Sequence, residues 1–168
     1  MPSYLSYVEK TRRSVDMENA KNIETALRLA LVTDEIQIPE EKRSYNYGAW
    51  VMICHDGRNY APVPYHNKNF NGIWCGADVG VTVGDETSTN EWNYNENLEQ
   101  ILRDASISSD SFRTYSNGNK DGWDWIIIEV GYSKEGQIFS RIYSGYKNQD
   151  GGINKTATTN IEKLMYGE

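Results

Sequence analysis

Four prolines, three phenylalanines, two histidines and two cysteines are all that this 168-residue chain holds of those types. Each scarcity removes a class of chemistry. Cys54 and Cys75 stand far apart in the chain, so the tight C-x₂₋₄-C pairs of a structural zinc site are missing, even with His55 and His66 counted as further ligands. Cys54, His55 and Asp56 are neighbours, but adjacent strand residues point to opposite faces, whereas a catalytic triad needs convergence in space. No active site and no cofactor is expected. No run approaches the 18 or so apolar residues that a membrane span requires, and no signal-peptide pattern stands at the start. Lys and Arg number 17 against 24 Asp and Glu, a net charge of −7. That balance argues against nucleic acid and anionic membranes as main partners. Repeats, linkers and long low-complexity runs are missing too, so one domain over residues 1–168, with a real core, is expected.

What the chain does have is a long helical pattern at its beginning. Apolar residues recur at Leu5, Val8, Val15, Ile23, Ala26, Leu27, Ala30 and Leu31, spacings that put them on one side of a 3.6-residue helix. Glu9 precedes Arg13, and Glu24 precedes Arg28, by four residues, the favourable order for ion pairs on a helix surface. Pro2 sits where a helix start tolerates a missing N–H. The pattern predicts a helix over residues 1–32, dense enough from Ile23 to Leu31 to pack on a sheet and thinner from Ser3 to Ser14. The thin end reads as an interface waiting for a partner.

Residues 44–146 read as a β-rich region. From Ser44 to Cys54 apolar groups fall on both faces, which marks a strand covered on both sides. Ile73–Val83 is a glycine-spaced apolar run. Trp123–Ser133 is the strongest strand, with Ile126, Ile128, Val130 and Tyr132 on one face. Lys134-Glu135-Gly136 fits a three-residue hairpin loop, and the chain returns over Gln137–Tyr146. A second helix is predicted near 93–105, with Asn93 and Glu96 as its capping box, and a short C-terminal helix over 159–166.

Twelve tyrosines and five tryptophans offer rings with one wet and one apolar end, suited to interfaces and glycan stacking as well as cores. Trp92 and Tyr94, in polar sequence at a helix start, are the pair expected at the surface for recognition. Asn117, Asn119 and Asp121 copy the first half of a calcium loop. Position 12 of that register is Ile128 rather than a bidentate Glu, and turn residues explain the pattern as well.

The helix also carries a resemblance. Pro2-Ser3-Tyr4-Leu5-Ser6-Tyr7-Val8 reads P-x-Y-x-x-Y-V and runs on through Lys10, Ser14, Asn19-Ala20-Lys21, Ile23 and Ala26-Leu27. It resembles the middle of the long N-terminal helix of type IV pilins and the related pseudopilins. The resemblance covers about 30 residues. It implies an α+β fold, a long helix packed on an antiparallel sheet, and a structural role in an extracellular, cell-surface filament. Other pilin subunits would be the partners, with host or cell surfaces possible. Pro2, Tyr4, Leu5, Tyr7, Val8 and Val15 would form the assembly interface. The membrane would be met only through an upstream segment. The hydrophobic stretch, processing Gly and membrane-buried Glu of the family are not in this sequence, so the chain is expected to start downstream of them. An oxidising exterior would favour a disulfide between Cys54 and Cys75, with two buried thiols as the alternative. The resemblance also keeps calcium at Asn117, Asn119 and Asp121 as a candidate. A reading from another class is a secreted carbohydrate-binding, lectin-like adhesion module.

Overall fold

The computed structural model describes residues 2–44, 47–55, 73–116, 123–147 and 153–160, with 2–6, 145–147 and 153–160 described by backbone alone. In chain order the elements are α1 (Pro2–Val32), β1 (Ile36–Gln37), β2 (Gly48–His55), β3 (Ile73–Ala77), β4 (Thr82–Val83), β5 (Glu86–Thr87), α2 (Glu96–Asp104), β6 (Arg113–Thr114), β7 (Trp125–Tyr132), β8 (Ile138–Lys147) and β9 (Ile153–Asn160). The fold is α+β. Its main sheet runs β3-β2-β7-β8-β9 with antiparallel neighbours, and β6 joins the end of β2 in parallel. A small antiparallel sheet, β1-β4-β5, lies apart from it.

The residues of β2 from Gly48 to Cys54 are all buried, as two apolar faces demand. Val51 and Ile53 share one face with Cys75, Ile126, Ile128, Val130 and Ile142, and α1 covers that face with Met17, Ala20, Ile23, Leu27, Ala30 and Leu31. Trp50, Met52, Cys54, Trp74, Trp125 and Ile127 form a second buried cluster on the other. Ser140 of β8 meets two side chains of α1, accepting from Arg28 Nη1 and donating to Glu24, both at 2.9 Å. The helix stops where Asp34 turns left-handed (φ 61°), with the Glu35 N–H donating to Ala30 O. The hairpin loop between β7 and β8 closes through Gly136 at φ 81°, a left-handed conformation that glycine adopts without Cβ strain. Among the described residues no helix is long and apolar enough to cross a membrane.

Three expectations change. Strand register sets Cys75 opposite Val51, so Cys75 points into the first, helix-covered cluster while Cys54 points to the second. Side chains on opposite faces of a sheet cannot bridge, and the two buried cysteines are not bonded. The cap of α2 is Asn95 rather than Asn93. Its backbone N–H is held by Cys75 O of the edge strand, which leaves its side chain to accept from Leu98 N at 2.9 Å. Thr159 and Asn160, placed at a helix start by their sequence, end β9 instead, opposite Ser144 and Tyr143. Residues 161–166 lie outside the described residues.

Candidate functional site

Along α1 the burial is uneven. None of residues 7–15 is buried, whereas Asp16, Met17, Ala20, Ile23, Ala26, Leu27, Ala30 and Leu31 all are. The change comes at Asp16. Its carboxylate accepts from the backbone N–H groups of Tyr115 (2.7 Å) and Ser116 (2.9 Å) and from Trp123 Nε1 (2.8 Å). Ser116 Oγ donates in turn to Glu9, about two turns before Asp16, at 2.5 Å. Glu9 also lies 3.7 Å from Arg13, the helix pair expected from their spacing. These bonds pin the middle of the helix to the segment entering β7, and no motif signals them. In the sequence Asp16 reads as one more surface charge.

Burial pushes the Asp16 carboxyl up to about 7, against the pull of its three N–H donors. The folded chain therefore holds this proton to a higher pH than the unfolded chain does. The contribution of Asp16 to stability is full near pH 4 and declines as pH rises toward 7. Urea unfolding should lose about 1–3 kcal/mol from this group between pH 5 and pH 8. Asp16→Asn, which cannot titrate, should flatten that part of the profile. An unchanged slope in the variant would place the titration elsewhere.

The face of α1 turned away from the sheet is the other departure from an ordinary amphipathic helix. Tyr7 is 69 % exposed, Val15 39 %, Leu29 59 % and Val32 65 %. At 100° per residue Tyr7, Leu29 and Val32 fall opposite the buried stripe, while Val15, placed on that stripe by its spacing, stands exposed at its border, about 20° from buried Ala26. Beside them lies a groove of ≈340 Å³ between α1 (Asn22, Thr25, Ala26, Leu29) and the turn after α2 (Ala105–Ser108). Of the expected assembly residues, Tyr7 is on this exposed face, Val15 is at the border of the buried stripe and Val8 is half-buried. For Pro2, Tyr4 and Leu5 only the helical backbone is described. Leu29 and Val32 were legible as apolar residues outside the buried stripe.

The recognition pair sits differently from expectation. Trp92 packs edge-on against Trp50, with ring centroids 6.1 Å apart, and Tyr94 packs edge-on against Trp74 at 5.3 Å. The Tyr94 hydroxyl also bonds Glu99. Both rings are half-buried around the edge strand β3 rather than standing free as a flat platform. Asn117, Asn119 and Asp121 lie outside the described residues. Among the described residues no group of three or more His, Cys, Asp or Glu side chains could hold a metal ion.

The architecture defines the class: an α+β protein with one long helix, half embedded and half exposed, crossing an antiparallel sheet. No protein family, curated protein or solved structure matches the chain.

Proposed function

We propose that this chain is a structural subunit of the type IV pilin or pseudopilin kind, assembling into a filament through α1 while the sheet domain faces outward. The observation that carries this reading is the set of exposed apolar side chains on α1, Tyr7, Leu29 and Val32 on the side away from its own core and Val15 at the border of the buried stripe. Exposed apolar side chains spaced along a helix among Thr11, Ser14, Glu18, Asn22 and Thr25 are a contact surface when another helix covers them. Head-to-tail contacts between unlike surfaces, repeated without closing, build helical filaments, and the groove beside Leu29 is the complementary hollow such a contact uses. In this reading the protein acts outside the cell, its partners are further subunits and no catalysis is involved.

Val15→Glu tests the reading. Val15 is not buried, so the purified chain should unfold within about 0.5 kcal/mol of wild type. Cells producing the variant should still make the subunit yet yield no filaments in sheared fractions viewed by electron microscopy, because the charge would be buried unpaired at the contact. Filaments at wild-type level, or no filaments from wild-type cells, would remove the proposal.

A further inference from the structure

The groove of ≈340 Å³ between α1 and the turn after α2 is lined by two kinds of group. Ala26, Leu29 and Ile107 are apolar, and Asn22, Ser106 and Ser108 are polar. The fold alone does not ask for two of these. Ser108 stands just before the 3-10 turn Ser109–Ser111, where a serine normally caps, yet its side chain makes no cap hydrogen bond. Ser106 holds φ 62°, a left-handed conformation in which glycine is the less strained residue. Apolar surface beside hydroxyl and amide groups suits a tyrosine, whose ring is apolar and whose tip is polar. A cavity of about 150 Å³ holds benzene, so this groove takes a phenol side chain with room for its approach.

The same helix offers such a side chain. Tyr7 is 69 % exposed. It lies 15 residues before Asn22 and 22 before Leu29, about 22–33 Å along α1, so a chain cannot seat its own Tyr7 in its own groove. The charges around the two places are complementary. Residues 7–15 carry Lys10, Arg12 and Arg13 against Glu9 alone, in a chain whose net charge is −7. Lys10 and Arg12 are exposed. On the far side of the groove the exposed Asp104 and Asp110 flank the lining residues 105–108, and Arg103 beside them is held by Glu99 at 3.0 Å.

From this geometry we infer that the groove receives Tyr7 of a second copy of this chain, with Lys10 and Arg12 of that copy set against Asp104 and Asp110. The inference rests on the assembly reading and gives its head-to-tail contact both halves. Ring and groove are different surfaces, so each copy that joins still offers one of each, and the contact repeats without closing. Opposite charges at the rim steer the two surfaces together and reject the reverse orientation.

Photocrosslinking within filaments tests it, with p-benzoylphenylalanine in place of Tyr7 in the full-length protein. Mass spectrometry should place position 7 of one copy on residues 22–29 or 105–111 of another. Tyr7→Ala should lower the yield of sheared filaments by about tenfold or more, as loss of a buried aromatic anchor does. Ser108→Trp, at an exposed position, fills the groove. It should lower the yield as far, while the purified chain unfolds like wild type. Where the larger ring at position 7 stops assembly, these two yields decide. Crosslinks to other segments only, or wild-type yield from either Tyr7→Ala or Ser108→Trp, would overturn the inference and leave the assembly reading standing. Wild-type cells without filaments would remove both.

Discussion

Leu27→Ala should lower the unfolding free energy by about 2–5 kcal/mol, measured by urea denaturation. Leu27 has no exposed surface and sits where the packed half of α1 meets the central sheet face formed by Val51, Ile128, Val130 and Ile142. Removing its isobutyl group loses the transfer free energy of the buried carbons and leaves a cavity that the rigid sheet beneath cannot collapse to fill. Leu29, two positions on and 59 % exposed, is the internal control. Leu29→Ala should change stability by less than about 0.5 kcal/mol. Equal losses at the two positions would mean that the helix lies on the sheet by a different face.

Asp16→Ala should cost about 3 kcal/mol, because it strands three donors at once: the buried Ser116 N–H and Trp123 indole N–H and the part-buried N–H of Tyr115. Trp123 itself is fully buried, so its freed donor has no route to solvent without local opening. The loss should be larger at pH 5 than at pH 8, since the wild-type chain pays for the buried charge only at the higher pH. Asp16→Asn keeps an acceptor and should fall between wild type and Ala. A loss below about 1 kcal/mol for Asp16→Ala would show that water replaces the carboxylate and that the pin is dispensable.

Where a feature is written locally, the sequence shows it. The helix from Pro2 to Val32 follows from its 3.6-residue pattern, and the hairpin of β7 and β8 from a period-2 face running Ile126, Ile128, Val130 around a loop that needs Gly136. The uneven stripe also marks the place near Asp16 where burial begins. Features fixed by pairing across the chain stay hidden. Cys54 and Cys75 look joinable until the register assigns them opposite faces. Strand β9, INKTATTN, is mostly polar and earns its place by backbone pairing to β8, so no apolar alternation announces it.

The attachment of α1 carries a consequence for synthesis. Each of its anchors lies late in the chain: Tyr115, Ser116 and Trp123 for Asp16, and Ser140 for Glu24 and Arg28. A ribosome adding roughly 5–20 residues per second needs about 5–25 s to move from Asp16 and Arg28 to those partners. Throughout that interval Ile23, Leu27 and Leu31 are on a chain whose sheet does not yet exist. Those side chains therefore stay unpacked until residues 115–140 have been made.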